Sequence, residues 1–355
     1  MQPSPTTLDN LTPALAAAHH PVCRSGDVPE GGLTKVTLLG EDWVVARIDG
    51  ELTALVDRCP HRGSPLSAGT VVDGGIQCAY HGYCFDGSGR CTLIPALGVG
   101  AVVPPKAHTR RAASVIERYG LVFVSPEPPI VPMLGVPEWD DPEFVLAPLP
   151  DQVWQAGAAQ MVDNFLDLTH FPFVHTDTFG DPGDIEVPHY EVVRDGLGFT
   201  CDYVHSTKLL QDSMGETEFE VAPRRSMWWY VAPFSIRLRI EYPAENVVLT
   251  IVFFHQPVDA VTTKLYVFDL RNDIADGRTT VEATVAFQML VAGEDKVLLE
   301  RMVSKATPLD VGAEVHTRAD RITLEMRRVL ADFVAVGAAA SAASGRAAAA
   351  SGGAP

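Results

Sequence analysis

Two histidines five residues apart, His170 and His175, are the strongest candidates for catalysis in this sequence. Asn164 and Asp167 precede His170 at three-residue steps, which predicts that these three residues share one face of a helix. Pro172 is expected to end that helix and to turn His175 back toward His170. Two imidazoles and a nearby carboxylate suit a mononuclear iron site, provided that a third ligand comes from elsewhere. The same spacing also fits unrelated polar residues on an amphipathic helix.

A predicted helix near the C-terminus could supply that third ligand. It carries two neighbouring acidic residues, Glu294 and Asp295, and either carboxylate could bind a metal. Acidic positions on helices are more often solvated surface residues, so the residues alone leave the ligand open.

Two short cysteine–histidine loops form a second candidate site. One residue separates Cys59 from His61, and two separate Cys78 from His81. This set could bind zinc, but zinc fingers usually pair cysteine with cysteine and histidine with histidine. The two loops instead resemble the Rieske [2Fe-2S] motif, in which two thiolates hold one iron and two imidazoles hold the other.

The second loop departs from the usual Rieske pattern at two positions that are not ligands. Ala79 replaces a proline and Tyr83 replaces a tryptophan, so the cluster assignment stands while its packing and potential could differ. Two nearby cysteines, Cys84 and Cys91, fit no ligand position and are expected to be small apolar filler.

Composition narrows the class of protein. A chain of 355 residues is long enough for two domains with full cores. The formal charge of -18 argues against nucleic-acid binding, and no apolar run reaches the roughly 18 residues of a membrane span. The start has no secretory-signal pattern, and the six cysteines then suggest a reducing cytoplasm.

The predicted elements divide the chain into two domains that would position these sites. Short strands between residues 33 and 56, with Asp49-Gly50 as a hairpin turn, predict a small antiparallel β domain. We assign residues 19–127 to it, after a flexible leader at residues 1–18.

The second predicted domain, residues 128–336, begins with the metal-binding helix. Long β-branched and aromatic runs follow, at Asn246–Phe254 and Thr263–Arg271 among others, and then two helical stretches. Residues 337–355, rich in Ala, Ser and Gly, are predicted to be a disordered tail.

The Rieske motif, together with Asn-x-x-Asp-x-x-His-x-x-x-x-His, makes the chain resemble the catalytic subunit of Rieske non-haem iron oxygenases from His20 to about Val334. This resemblance implies an α+β fold, with an all-β Rieske domain and a helix-grip catalytic domain built on a curved antiparallel sheet. In the vanillate and dicamba O-demethylases a Glu-Asp-Lys run supplies the third iron ligand. The residues that the resemblance assigns are Asp295, His170 and His175 as iron ligands, Asp167 as the acid linking the two metal centres, and Asn164 beside the iron.

The implied activity is that of an oxygenase component. It would use O2 and electrons from NAD(P)H, delivered by a separate reductase or ferredoxin, because the chain lacks a dinucleotide-binding Gly-x-Gly-x-x-Gly fingerprint. The expected reaction is hydroxylation or O- or N-demethylation of a small, aromatic or heterocyclic molecule, within a head-to-tail homotrimer. Two alternatives are a cis-dihydroxylating dioxygenase and, from another class, a Rieske electron-transfer protein without oxygenase activity.

The sequence says little about the substrate. Arg237 and Arg239 could bind a substrate carboxylate, although a solvated strand face explains them equally well. Several aromatic residues could line an apolar pocket but are more often core: Trp228, Trp229, Phe234, Phe253, Phe254 and Phe268.

Overall fold

The structure is a computed structural model that describes residues 6–208 and 221–351. Its first eleven strands are β1 (Thr7–Leu8), β2 (His20–Arg24), β3 (Leu33–Leu38), β4 (Glu41–Ile48), β5 (Glu51–Val56), β6 (Thr70–Val72), β7 (Gly75–Gln77), β8 (Cys84–Asp86), β9 (Cys91–Leu93), β10 (Ser114–Arg118) and β11 (Leu121–Ser125). The later strands are β12 (Val145–Pro148), β13 (Gln152–Trp154), β14 (Glu191–Asp195), β15 (Gly198–Lys208), β16 (Val221–Val231), β17 (Ser235–Tyr242), β18 (Val247–Pro257), β19 (Thr263–Arg271) and β20 (Thr307–Pro308). The α-helices are α1 (Ala158–Leu166), α2 (Phe171–Val174), α3 (Val281–Leu299) and α4 (Arg321–Ser351).

The chain divides into two compact units. The smaller unit is residues 15–130 with residues 256–259, and the larger unit is residues 1–14, 131–255 and 260–355. The predicted domain limits near residues 18 and 127 fall close to these divisions but do not coincide with them.

The smaller unit consists of short antiparallel sheets, as the sequence predicted. Their strand orders are β10-β11-β2, β3-β4-β5 and β6-β7-β8-β9. The predicted hairpin turn joins β4 to β5, and its two central residues, Asp49 and Gly50, have φ of 53° and 83°. Positive φ at both positions is what a two-residue type I′ turn requires, because it matches the twist of the flanking strands. Trp43 on β4 pairs with Val56 at the end of this hairpin away from the turn and is fully buried in the core.

The larger unit is organised around an eight-stranded sheet. Its order is β12-β19-β18-β17-β16-β15-β14, with β13 also pairing with β19. Neighbouring strands from β14 to β18 are antiparallel. The predicted strands at residues 246–254 and 263–271 are confirmed by β18 and β19. Side chains on β18 and β19, the second and third strands from one edge, are mostly buried, so this part of the sheet is covered on both faces.

Three helices pack in the larger unit. Helix α3 contacts β12 and α1, and α4 contacts α1, β14 and β15. Thr280 caps the start of α3, where its hydroxyl accepts a hydrogen bond from the Ala283 N–H at 3.1 Å. None of the helices that the structure describes is both long and apolar enough to cross a membrane.

The predicted flexible leader is wrong for residues 6–18. Strand β1 pairs with β20, and Leu8 is 1% exposed. Asn10 is fully buried; its side chain accepts a hydrogen bond from the Ala158 N–H at 2.8 Å and donates to Thr263 Oγ1 at 3.1 Å. Eight of residues 6–18 are Leu, Pro or Ala, and one of the five polar residues, Asn10, is used inside the protein, which composition cannot reveal.

The predicted disordered tail also differs from the structure. Helix α4 continues through Ser351, and Gly337 is buried, with space for a side chain limited by Ala14. Alanine has the highest helix propensity of all residues, so an alanine-rich run can extend a helix that packing has already nucleated. Residues 352–355 lie outside the described residues.

One glycine at the start of α1 gives a test of this packing. A Cβ on Gly157 would lie 2.1 Å from the Lys305 carbonyl oxygen, so the backbone would have to move. We expect Gly157→Ala to lower the free energy of unfolding by about 1–3 kcal/mol, as overpacking usually does. Thermal unfolding followed by circular dichroism measures the change. Gly135→Ala is the matched control, because no atom lies within 4 Å of its added Cβ. Equal midpoints for the two variants would contradict the close approach.

Candidate functional site: two metal centres

The two cysteine–histidine loops have the same backbone hydrogen-bond pattern. In each loop the cysteine N–H donates to the carbonyl five residues later, and the cysteine carbonyl accepts from a glycine four residues later. The glycines, Gly63 and Gly82, have φ of 75° and 70°, which favours glycine at both positions. The four bonds are Cys59 N to Ser64 O at 2.8 Å, Gly63 N to Cys59 O at 2.9 Å, Cys78 N to Tyr83 O at 2.8 Å and Gly82 N to Cys78 O at 3.0 Å.

The side chains of these loops divide into buried thiols and exposed imidazoles. Cys59 and Cys78 are each 2% exposed, whereas His61 and His81 are exposed and their ring centroids lie 4.5 Å apart. Burial raises the pKa of the Cys59 thiol to about 11, so a thiolate here needs a cation such as iron to hold its charge. Tyr83, at the position where the usual motif has tryptophan, stacks on His61 with centroids 4.7 Å apart.

Among the described residues, the four loop side chains do not converge on one point. Within residues 6–208 and 221–351, the only histidine, cysteine or acidic residues that bring three ligand atoms within 4.8 Å of one another belong to the other centre. A single zinc ion would require such convergence in the loops. A binuclear cluster does not, because its thiolates and imidazoles bind different irons.

The two spare cysteines lie in the apolar core of the smaller unit or beside it. Cys84 is 8% exposed and Cys91 is 3% exposed. Their thiols donate to the carbonyls of Gly82 and Leu93, both at 3.4 Å. This agrees with the expectation that they fill space.

The second centre brings His170, His175 and Asp295 together. The two Nε2 atoms are 3.1 Å apart, and Asp295 Oδ1 lies 3.6 Å from the first and 3.3 Å from the second. Metal–ligand bonds of about 2.1 Å at right angles would place neighbouring ligand atoms about 3 Å apart, so these atoms fit three positions on one face of a metal ion. Asp295 is 4% exposed, and its Oδ1 has no hydrogen-bond partner among the described residues, which leaves it available for a cation.

The local structure around the histidines differs from the prediction. Helix α1 ends at Leu166, and Asp167 is already extended with ψ of 140°. Asn164, Asp167 and His170 therefore do not share one helical face. Pro172 does not break a helix but lies in the first turn of the short helix α2, which His170 precedes. Proline is tolerated there because its missing N–H would have no partner in that turn.

Each imidazole is held by a carboxylate on its other ring nitrogen. His170 Nδ1 lies 2.8 Å from Asp167 Oδ2, and His175 Nδ1 lies 2.7 Å from Glu294 Oε2. A carboxylate accepting from Nδ1–H fixes the tautomer that leaves Nε2 free, as in many metal sites. Glu294 therefore orients His175 and is not one of the three converging residues. The sequence analysis treated Glu294 only as a possible ligand, because nothing in the sequence pairs it with His175.

The carboxylate of Asp167 accepts several hydrogen bonds. It accepts from the backbone N–H of His170 at 2.9 Å and from the Thr169 hydroxyl at 2.8 Å, besides the imidazole. Burial alone would raise the pKa of this carboxyl group, but the bonds from His170 and Thr169 outweigh burial and lower the pKa below its ordinary value. Asp167 is therefore ionised at neutral pH.

A cavity of about 930 Å³, counting its open mouth, lies beside this triad within the larger unit. Asn164 from α1 lines it, and its buried Nδ2 has no hydrogen-bond partner among the described residues. Most of the wall is apolar and comes from β17, β18, β19 and α3. Examples are Leu238, Ile240, Leu249, Ile251, Phe253, Leu265, Val267, Phe287 and Val291.

Most residues that the sequence suggested for substrate contact lie elsewhere. Of the six aromatic candidates only Phe253 lines the cavity. Arg239 pairs with Glu138 at 3.1 Å, and Arg237 lies 3.7 Å from the same carboxylate and 3.7 Å from the Trp229 ring centroid. The cavity arginines are Arg224 and Arg271, which the sequence analysis did not single out.

Comparisons with known proteins agree with this arrangement. The Rieske [2Fe-2S] domain matches residues 18–105, and the vanillate O-demethylase oxygenase C-terminal domain matches residues 154–335. The methylxanthine N1-demethylase NdmA of Pseudomonas putida is 31% identical over 324 residues, which cover 88% of each chain.

Solved structures show the same fold. The structure of Pseudomonas putida CBB5 NdmA with caffeine aligns with a TM-score of 0.78 at 28% identity, over 90% of this chain and 91% of that one. The structure of dicamba monooxygenase bound to dicamba aligns with a TM-score of 0.74 at 20% identity, over 92% and 99%. The cofactors are thus a Rieske [2Fe-2S] cluster and a mononuclear iron, as the sequence predicted. By its two matched domains and its likeness to NdmA, the chain belongs to the Rieske non-haem iron oxygenases.

Proposed function

We propose that this chain is the oxygenase component of a monooxygenase system that hydroxylates or demethylates a small aromatic or heterocyclic substrate. The observation that carries the proposal is the convergence of His170, His175 and Asp295 at the wall of an apolar cavity. Relatives named as demethylases of methylxanthines, vanillate and dicamba support the reaction type. Electrons from NAD(P)H would arrive through a separate reductase or ferredoxin.

The residues of each centre follow from this proposal. His170, His175 and Asp295 would hold the mononuclear iron, which supplies O2 activation when it is bound. The [2Fe-2S] cluster would be held by the four loop residues Cys59, His61, Cys78 and His81. The buried thiols and exposed imidazoles would put the histidine side of the cluster nearest to a redox partner.

The surrounding residues would prepare the site before substrate arrives. Asp167 and Glu294 hold the two imidazoles with Nε2 toward the metal position. The apolar wall excludes water from the reacting group and holds a flat ring by contact. The Asn164 amide group, whose Nδ2 has no hydrogen-bond acceptor among the described residues, could donate to an oxygen atom of a bound molecule.

The assembly is part of the proposal. We propose a homotrimer in which Asp167 links an iron ligand of one copy to a cluster histidine of the next. The side chain of Asp167 is 20% exposed, so its carboxylate remains accessible to such a partner. A cytoplasmic location is proposed because none of the six cysteines, all of which lie in the described residues, forms a disulfide, as expected in a reducing compartment.

Reconstitution tests the function directly. The iron-loaded protein would be combined with NADH, a ferredoxin and its reductase, and a panel of methoxy, N-methyl and unsubstituted aromatic and heterocyclic compounds. We expect O2 uptake with formaldehyde release from a methoxy or N-methyl compound, or a hydroxylated product. A cis-diol product would favour the dioxygenase alternative. Two irons per chain, with no O2 uptake, would identify an electron carrier instead.

The roles of Asp295 and Glu294 predict different losses of iron. Asp295→Ala should remove the mononuclear iron almost completely, because it deletes a ligand. Glu294→Ala should weaken iron binding about 10- to 100-fold, because it frees the His175 ring while the three ligands stay. Chelator competition and iron analysis measure both effects, and the Rieske visible spectrum should stay normal.

The control for this pair is Glu282→Ala, which removes an exposed carboxylate from the first turn of the same helix. It should retain the wild-type iron affinity. A greater iron loss in Glu294→Ala than in Asp295→Ala would mean that Glu294 is the ligand and Asp295 the acid that supports it.

Asp167 predicts a defect in electron delivery separate from metal binding. Asp167→Asn keeps the shape of the side chain but removes its charge. We expect both centres to stay loaded and substrate to bind, while O2-dependent reoxidation of the pre-reduced protein in a single turnover slows about 10- to 100-fold. Asp177→Asn, an exposed neighbour on the same segment, is the control. Reoxidation of Asp167→Asn at the wild-type rate would mean that this residue does not take part in electron transfer between the two centres.

A further inference from the structure

Arg224 is the buried arginine of the described chain that has no carboxylate partner. Four arginines there are less than 9% exposed, and Arg224 is the most buried of them at 4%. The other three are each paired with an acid: Arg237 with Glu138 at 3.7 Å, Arg271 with Asp273 at 2.7 Å and Arg327 with Asp163 at 3.1 Å. No ion pair to Arg224 occurs among residues 6–208 and 221–351.

Arg224 is held in a fixed position at the cavity wall. It lies on β16, lines the cavity beside the triad, and its Nε donates to the Ser226 hydroxyl at 3.3 Å. Its guanidinium lies 5.6 Å from the centroid of the Phe179 ring. One face of the group is thus covered by an aromatic ring, and Nε is occupied. The two terminal nitrogens have no hydrogen-bond acceptor among the described residues and could donate to a ligand.

The neighbours of Arg224 do not neutralise its charge. His205 is its cross-strand partner on β15, and burial together with Arg224 lowers the pKa of His205 to about 3. This imidazole is therefore neutral at physiological pH and adds no charge of either sign. Tyr203, which stacks on His205, and Phe179 carry no charge. Asp184 acts on the Tyr203 hydroxyl but forms no ion pair with Arg224 among the described residues.

Leaving a guanidinium buried without an anion costs free energy, because its hydration is lost and no opposite charge compensates. The three other buried arginines are each paired, so an arginine at the cavity wall with no acid partner among the described residues points to a role in binding. A carboxylate matches the free side of a guanidinium with two parallel N–H···O bonds.

We infer that Arg224 binds the carboxylate of an aromatic acid, and that this anionic group fixes the substrate in the cavity. The inference rests on the proposed function of the cavity as the substrate site. Phe179 stacks on His175 with centroids 4.6 Å apart, so a single aromatic ring separates the guanidinium from a proposed iron ligand. A benzoate-sized molecule can therefore present its carboxylate to Arg224 and a methyl-bearing substituent to the triad.

Binding of two matched probes tests this inference without requiring turnover. The probes are 4-methoxybenzoate and its neutral isostere 4-methoxybenzamide, titrated anaerobically into the iron-loaded protein by calorimetry. We expect the wild type to prefer the acid. Arg224→Gln should weaken binding of the acid about 10- to 100-fold, the range for a hydrogen bond to a charged group, and change binding of the amide less than about twofold.

Two further variants separate this role from a structural one. Arg225→Gln removes the same charge from the next residue of β16, but Arg225 faces solvent and pairs with Asp202, so the preference for the acid should remain. Arg224→Lys keeps the charge without the planar fork and should give an intermediate affinity, which also serves if Arg224→Gln fails to fold.

The outcomes distinguish this inference from the proposed function. Equal affinity of the wild type for acid and amide, or equal weakening of both in Arg224→Gln, would overturn the role of Arg224. Formaldehyde release from neutral N-methyl heterocycles alone, with no binding of the acid, would leave the monooxygenase intact and refute the acid substrate. Binding of the acid through Arg224 with no oxygenated product from any probe would instead count against the proposed function.

Discussion

The carboxylate–imidazole pair is the interaction on which the mononuclear site depends. Asp167 and Glu294 each accept a hydrogen bond from the Nδ1 side of one histidine, so both Nε2 atoms point toward Asp295. Without these acceptors an imidazole can rotate and exchange tautomers, and its lone pair no longer has a fixed direction. Asp167 also ends a helix and starts a turn through its backbone and Thr169 bonds. Chain direction and ligand orientation are thus set by one side chain.

The sheet and helix α3 form the rigid frame that holds the carboxylate–imidazole pairs in position. Asp295 and Glu294 are consecutive residues on α3, so their side chains leave the helix about 100° apart. One therefore reaches the metal position while the other reaches the far side of His175. Strands β17 to β19 provide the opposite wall with apolar side chains. The site thus places a polar cluster against an apolar wall, and the low dielectric constant there strengthens the electrostatic interactions inside the cluster. The cluster consists of Asp167, His170, His175, Glu294 and Asp295.

Motif spacing singled out the two cysteine–histidine loops and the pair His170 and His175, because the spacing of ligands within one loop follows from the metal group they bind. The choice of Asp295 over Glu294 came instead from the resemblance to the O-demethylases. Spacing did not predict the backbone conformation between Asn164 and His170. Residues three apart can approach one another either on a helix or across a turn, so the spacing fits both. The three-residue spacing predicted a continuous helix, but the hydrogen bonds that Asp167 accepts from Thr169 and His170 stabilise a turn instead. The role of Glu294 depends on a contact 119 residues away, which no local pattern encodes.

Contacts between distant segments also decide which arginines are available to bind a carboxylate. Arg237 and Arg239 looked suited to binding a carboxylate because they alternate on one strand, yet Glu138 already neutralises them from a distant segment. Arg224 has a neighbour of the same type, Arg225, and only the register of β15 with β16 decides which of the two is buried. A one-residue shift in register would exchange them.

The buried Asn10 has a consequence for how this protein is handled. Its side chain bonds the first turn of α1 and the start of β19, so a segment that looks like a dispensable leader connects the helix ahead of the iron site to the central sheet. An expression clone trimmed to begin at residue 15, where the smaller unit starts, would delete that connection. The Rieske half would keep all of its own strands, and the damage would fall on the other metal centre, more than a hundred residues along the chain.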